Sequence, residues 1–310
     1  MTTAQKLKVI QQLSSLSQEK LAQKFGVSFA TLNSWINGKS VPREKAREQI
    51  ETLYLDYTGQ RVIPPGELAA KKQSVMDKCK SYPHVLKLIL ENPDIHDQFI
   101  LSLTYHTNRI EGSTLTEAET SAILFHDVAL PDKSLIEHLE VKNHQTALQY
   151  LLNYMYTGSG QIDEASILSL HRMLMNSIRP DAGSYRSHSV RIVGADVPTA
   201  NYVKVPFLMN SLIDAINTPM EDVVSHIAGI HSRFEQIHPF SDGNGRIGRL
   251  IVHAMALRKN LPPAMIRQEK KRLYYSYLNK AQQSQHNDLS LLEYFICDAL
   301  LEGFGLLARE

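Results

Sequence analysis

The chain has 310 residues, 43% hydrophobic and 21% charged, which is enough apolar material for a sizeable core and a length that predicts about two domains. A formal net charge of +1 excludes a global attraction to nucleic acid or membrane, so any such affinity must come from a local patch. Apolar runs such as Leu250 to Leu257 are too short to span a bilayer and the first residues lack the apolar centre of a signal peptide, so a cytoplasmic chain with no membrane partner is expected.

Residues 1 to 60 read as short helices. Ser17 suits a helix start and Gly26 a stop. Ser28 can cap a second helix that buries Leu32, Trp35 and Ile36 until Asn37-Gly38 breaks it. Helix, glycine turn, helix is the arrangement that sets a recognition helix in the major groove of DNA. Residues 1 to 61 also hold nine Lys or Arg against five Asp or Glu, a local basic excess. With its Gly26-Val27-Ser28 turn, late Trp35 and Gly38-Lys39-x-x-Pro42 tail, the segment resembles the helix-turn-helix of phage-repressor-like (XRE-type) regulators. The resemblance implies that Ser28, Asn33 and Lys39 contact DNA, with Phe29, Ala30 and Ser34 on the same outward face. The competing expectation is a helical module for dimerisation or protein contact, because Phe29 and Ala30 read base edges poorly.

Thr58-Gly59-Gln60 and Ile63-Pro64-Pro65-Gly66 break the helical pattern and predict a linker over residues 61 to 80. Helical spacing resumes between Val85 and Leu103, interrupted at Asn92-Pro93, and runs on to a glycine stop at Gly112. Further amphipathic patterns cover Glu117 to Phe125, Ser134 to Met155 and Asp163 to Ile178. His138, His144 and His171 lie on these helices without metal-ligand spacing and are expected to serve packing or the surface. From Ser184 to Gly194 the pattern alternates and gains β-branched residues, which predicts a strand, with Gly194 and Pro198 bracketing a turn. Helices are expected again over Glu221 to Gln236, Gln268 to Gln283 and Leu291 to Leu307. Cys79 and Cys297 form no ligand pattern.

Residues 238 to 249, His-Pro-Phe-Ser-Asp-Gly-Asn-Gly-Arg-Ile-Gly-Arg, gather the residue types that phosphoryl or nucleotidyl transfer needs. His238 can act as a general base near neutral pH, and Asp242 suits a divalent cation. Gly243-Asn244-Gly245 allows a tight turn whose N–H groups point at phosphate oxygens. The spacing of Ile247, Leu250, Ile251, Ala254 and Leu257 places that turn at a helix N-terminus, where anions bind. Arg246 and Arg249 are neighbours on one helix face, both shaped to grip phosphate.

The stretch resembles the full signature of the Fic (Fido) family, His-x-Phe-x-(Asp or Glu)-Gly-Asn-Gly-Arg-x-x-Arg. Earlier in the chain, Thr107-x-x-x-Glu111-Gly112 resembles the family's inhibitory motif. The resemblance implies a mainly α fold: a multi-helix Fic core with a short β-hairpin flap, preceded by a small all-α helix-turn-helix domain. It divides the chain into residues 1–60, the linker at 61–80, N-terminal helices of the Fic region at 81–180 and the catalytic core at 181–310. It implies a protein adenylyltransferase that moves AMP from ATP, with Mg2+, to a Ser, Thr or Tyr hydroxyl of a target protein. DNA and a second copy of the chain are further candidate partners. His238 would be catalytic, Asp242 would hold the metal, and Glu111 would inhibit by pairing with Arg249. The nucleotide would be held by Arg191, Ile192, Val193 and Gly194 of the flap, by Gly243, Asn244, Gly245, Arg246 and Arg249, and by Tyr275 and Gln282 of the base region. Gln282 stands where the family often has asparagine. Alternative expectations are removal of AMP, transfer of another phosphate-containing group, or a DNA-binding regulator whose Fic-like domain is a sensor.

Overall fold

The computed structural model describes residues 1–14, 16–158, 160–191, 197–283 and 288–308. Among them are fifteen α-helices and no strand, arranged around two hydrophobic cores. Among the described residues no helix is long and apolar enough to cross a membrane.

The smaller core belongs to an N-terminal module of α1 (Thr3–Ser14), α2 (Gln18–Lys24), α3 (Phe29–Ile36) and α4 (Glu44–Tyr57). Leu7, Ile10, Leu21, Leu32, Trp35 and Ile50 fill it. Local chemistry sets its boundaries. The Ser17 side chain accepts from Lys20 N and that of Ser28 from Thr31 N, while Gly26 and Gly38 take the left-handed conformation at φ of 66° and 69°.

The linker expectation fails over most of its length, because residues 65–80 form α5 (Pro65–Lys80). Pro64-Pro65 reads as a breaker, but a proline in the first turn of a helix loses no intrahelical hydrogen bond and presets φ. Val75 is fully buried, and Lys71 and Lys72 bind Asp298 and Glu293 of α15 (Ser290–Leu307) at 2.6 Å each. The helix therefore belongs to the larger core.

That core is organised around α13 (Asn244–Arg258), in which thirteen of fifteen residues are buried. A helix buried nearly all round must be enclosed by others, and its buried polar residues, Asn244, Arg246, Arg249 and His253, stand out in such a setting. Packed in this core are α7 (Pro93–Glu111), α9 (Leu135–Thr157), α12 (Val223–Ile237) and α15, with α6 (Val85–Glu91), α8 (Glu117–His126), α10 (Glu164–Leu174), α11 (Val205–Asn217) and α14 (Lys271–Gln283) completing it.

The predicted hairpin flap is not formed by the described residues. Residues 184–191 lack strand structure, and residues 192–196, which include Ile192, Val193 and Gly194, lie outside the described residues. Arg186 supplies the physical reason. Its guanidinium, almost fully buried, donates to the carbonyl oxygens of His238, His188, Ala200 and Ile237, and its N–H goes to Pro239 O, so this backbone is tied to a side chain and a loop rather than to a ladder. Residues 205–209 start α11, again with a proline in the first turn.

Candidate active site

The site is the corner between α12 and α13. Helix α12 ends at His238, a non-glycine residue at φ 51°. Such a left-handed conformation is costly and persists only where the surroundings impose it, as at functional sites. The surroundings here are explicit. Phe240 N donates to Asn244 Oδ1 at 2.9 Å and Asn244 Nδ2 donates back to Phe240 O at 2.8 Å, closing the loop on itself. His171 stacks on Phe240 with ring centroids 3.7 Å apart, and its Nε2 lies 3.1 Å from Asp242 O. Gly243, at φ 76°, caps α13, and a Cβ there would come within 2.9 Å of Met175 Sδ. The loop amides that open α13 thus line a cavity of about 770 Å³ together with Glu111, Arg191, Glu235, His238, Asp242, Tyr275 and Gln282.

His238 Nδ1 lies 3.2 Å from Glu235 O, and burial lowers its pKa below the ordinary histidine value, so a neutral ring is favoured. With Nδ1–H donated to that carbonyl, Nε2 is left as the base. Asp242, more than half exposed, accepts from Gly243 N at 2.6 Å and stands 3.9 Å from Arg246 Nη2. One exposed carboxylate with a neighbouring phosphate nest suits Mg2+, which keeps waters and binds through one or two carboxylates plus substrate phosphates. Among the described residues no cluster of three or more His, Cys, Asp or Glu offers an all-protein cage, and this cation does not need one.

The two arginines have different surroundings. Arg246 Nη1 binds Glu140 Oε1 at 2.9 Å. Arg249, buried with only 2% exposure, donates from Nε to Thr107 Oγ1 at 2.7 Å and from Nη2 to Glu111 Oε1 at 2.5 Å. Both partners come from the last turn of α7, which ends in Gly112 at φ 113°. Burial by itself would raise the Glu111 pKa, but Arg249 and Arg246 more than offset it and hold the carboxyl below its ordinary value. The carboxylate lies over the nest, since a Cβ on Gly245 would meet Glu111 Oε1 at 2.6 Å. Glu111 therefore sits against the opening of α13 with its charge turned to Arg249.

Tyr275, 39% exposed, and Gln282 face the same cavity from α14, with Gln282 Nε2 donating to Ser232 O at 3.1 Å. The neighbouring Tyr274 is buried and pairs through its hydroxyl with His231 Nε2 at 2.6 Å. In the N-terminal module, Ser28 and Lys39 are exposed, whereas both the side-chain and backbone oxygens of Asn33 accept from Asn37 Nδ2 at 2.8 Å.

Several residues at the site were not singled out from sequence. Asn279 lies between Tyr275 and Gln282 at spacings of four and three, one helix face, and lines the cavity. That periodicity is a signal that was available. Glu235 also lines it, with its carboxyl pushed up to about 8 by burial, a shift that Arg249 opposes and Glu111 reinforces. His171, with its pKa lowered to about 4 by burial, and Glu140 support the loop and Arg246 from elements far away in the chain, and no sequence spacing links them to the motif. Thr107, read from sequence only as part of the motif that holds Glu111, also binds Arg249.

Comparison with known proteins agrees with the geometry. The Fic/DOC family pattern matches residues 161–256 and a helix-turn-helix pattern matches residues 11–50. A protein adenylyltransferase Fic of Nematostella vectensis is 36% identical over 189 residues, 60% of this chain and 43% of that protein. One from Aedes aegypti is 31% identical over 198 residues, 63% of this chain and 39% of that protein. The chain thus spans about two-fifths of the length of these curated relatives. Among solved structures, a Fic domain containing signaling protein from Bacteroides thetaiotaomicron is 25% identical with a TM-score of 0.65, covering 76% of this chain and 97% of that one. Fic-1 from C. elegans shares the fold at 23% identity and a TM-score of 0.68, covering 86% of this chain and 77% of that one.

Proposed function

From a chain built of a helix-turn-helix domain and a Fic/DOC domain, we propose an autoinhibited enzyme that transfers AMP from ATP to a Ser, Thr or Tyr hydroxyl of a target protein. His238 Nε2 takes the hydroxyl proton as the oxygen attacks the α-phosphorus and the bond to pyrophosphate breaks. The loop amides of residues 243–245 and Arg246 stabilise the leaving pyrophosphate. Asp242 would hold Mg2+, which would supply charge neutralisation to the triphosphate. Arg249 takes the γ-phosphate once Glu111 withdraws.

The observation that carries this reading is the 2.5 Å contact of Glu111 with Arg249 above Gly245. His238, Asp242 and Glu111 line one cavity, and Glu111 reaches Arg249 although the two are 138 positions apart, which supports the reading. ATP entering with Glu111 in place would lose the pose in which the α-phosphorus faces the hydroxyl, and misplacement of that kind costs large factors in rate. A shift of population that frees Arg249 restores it.

Mass spectrometry of proteins incubated with ATP and Mg2+ tests the reading. Glu111→Gly is expected to raise AMP incorporation by about tenfold or more over the parent, the scale of a typical coupling between sites. Equal incorporation by the two would overturn the inhibitory role, and no AMP incorporation by either would overturn the transfer reaction. A second reading, removal of AMP, is favoured by Glu111 sharing the cavity with His238, where it would position a water. An AMP-modified target, incubated with the parent and with Glu111→Gly, separates addition from removal. DNA binding by the N-terminal module rests on its exposed Ser28 and Lys39 and its basic excess, and a shift assay with upstream DNA tests it.

A further inference from the structure

The cavity has a wall that the transfer reaction leaves without a task, and this wall belongs to the N-terminal module. Leu13 on α1, and Tyr57 and Thr58 at the end of α4, line the same space as Glu111, His238 and Gly243. They are brought there by a specific seat. Tyr277 on α14 donates its hydroxyl to Asp56 Oδ1 at 2.6 Å, and Arg61 binds the same carboxylate at 3.2 Å while its guanidinium lies 4.8 Å from the Tyr294 ring. Arg272 Nη1 donates to Gln12 O at 3.1 Å. Gly59, at φ 65°, comes so close to α14 that a Cβ would be 3.1 Å from Ser276 Oγ.

Asp56 and Tyr57 are each only 8% exposed. A buried carboxylate is tolerated only with well-placed partners, and here one of them, Tyr277, comes from α14 of the larger core, while Arg61 follows in the segment between α4 and α5. The module is therefore held in one register on α14. The same helix carries Tyr275, Asn279 and Gln282 into the cavity, so a single rigid element joins the module to the site. The module's wall pairs an apolar surface, Leu13 and the Tyr57 ring, with the neighbouring cations Lys271 and Arg272, a combination that suits a nucleotide better than a peptide.

We infer that Leu13, Tyr57 and Thr58 contact the bound nucleoside triphosphate, so that nucleotide binding and the seating of the helix-turn-helix module are one coupled equilibrium. This rests on reading the cavity as the nucleotide site. Coupling is reciprocal: whatever loosens the seat weakens the nucleotide by the factor with which the nucleotide tightens the seat.

Hydrogen exchange and ATP affinity on the full chain carrying Glu111→Gly, in the presence of Mg2+, test the inference. ATP is expected to protect the segments bearing Leu13 and Tyr57-Thr58 as well as residues 238–250. Tyr277→Phe, which removes one hydroxyl from the seat, and Thr58→Phe, which fills the wall, should each weaken ATP binding by roughly fivefold or more. The single tryptophan, Trp35, is buried in the module, and unchanged emission in both variants verifies that the module remains folded. Protection confined to residues 238–250 and 271–283 would overturn the inference and leave the nucleotide site standing, whatever the variants do to affinity. Protection of the module with unchanged affinity in both variants would overturn the coupling. No protection at residues 238–250 would overturn both the inference and the nucleotide reading.

Discussion

The loop end of the cavity and the α14 wall facing it differ in how they are held. Around residues 238 to 246, reciprocal bonds between Asn244 and Phe240, the His171 stack and the tight approach of Gly243 to Met175 leave little freedom. In the proposed reaction the groups that would meet developing charge are thereby preorganised, and electrostatic stabilisation gains most from groups that need not reorganise during reaction. Tyr275, by contrast, keeps 39% of its surface exposed, and Gln282 is anchored by donation to a backbone carbonyl. A wall of that kind selects ligands by shape and stacking, at smaller energies. Substitutions at the loop should therefore cost rate, and substitutions on α14 should cost affinity.

The largest expected effect is at the loop. In a Glu111→Gly background, His238→Ala should reduce AMP transfer by roughly 10²–10⁴, the usual contribution of a positioned general base, with little change in ATP affinity. Turnover measured with labelled ATP, beside an equilibrium binding titration, checks both halves. A loss of affinity equal to the loss of rate would mean that the loop holds ground-state phosphate rather than acting on the attacking hydroxyl. Because burial depresses the His238 pKa, the acid limb of kcat/KM should fall below the ordinary histidine range of about 6.5, with activity rising as pH increases through it.

Glu235 sits between the two regions and gives an effect on stability. Its folded-state pKa of about 8 lies above an unfolded value near 4.3. The folded chain then binds the extra proton between those values, so this group's contribution is full below pH 4.3 and is lost as pH rises towards 8. Glu235→Gln keeps the neutral form at every pH. Its Tm should pull ahead of the parent's as pH rises from 5 to 8, by roughly 2–4 °C for each kcal/mol involved. Calorimetry at three pH values decides it, and parallel Tm curves would show that the carboxyl is ionised in the fold. On α14, Tyr275→Ala should weaken ATP by roughly tenfold, within the range for stacking of a base on an aromatic ring, and leave kcat nearly unchanged.

The same contrast explains what could be read without coordinates. The loop was legible because its chemistry is contiguous: its bonds close over four residues, and a helical apolar pattern follows at once. The caps of the N-terminal module were legible for the same reason, with Ser17 and Ser28 each bonding three residues ahead. Glu111 was recognisable through a family pattern alone, since its partner Arg249 lies 138 positions on. Helices α5 and α11 were missed because each carries a proline in the first turn, where the residue starts a helix instead of ending one. The strand pattern after Gly183 is present in the residues, but Arg186 takes the carbonyls that a ladder would need, and alternation cannot reveal that. The seat of the module on α14 joins Asp56 to Tyr277 across 221 positions, beyond any local signal.

Gln282 gives the smallest expected effect and the sharpest test of how the wall works. Its Nε2 donates one of its two N–H groups to Ser232 O at 3.1 Å, and its side-chain oxygen is the acceptor that Gln282 can offer to a base in the cavity. That oxygen accepts and cannot donate, so it suits the exocyclic amino group of adenine over the carbonyl that guanine presents at the same ring position. Gln282→Ala should therefore weaken ATP by only about threefold, within the net value of one neutral hydrogen bond, but should narrow the preference for ATP over GTP by the same factor. Titrations of both nucleotides against the two proteins check it. An equal loss for ATP and GTP would assign base discrimination to Asn279, one turn earlier on the same face, whose side-chain oxygen is buried without a hydrogen bond from the described residues.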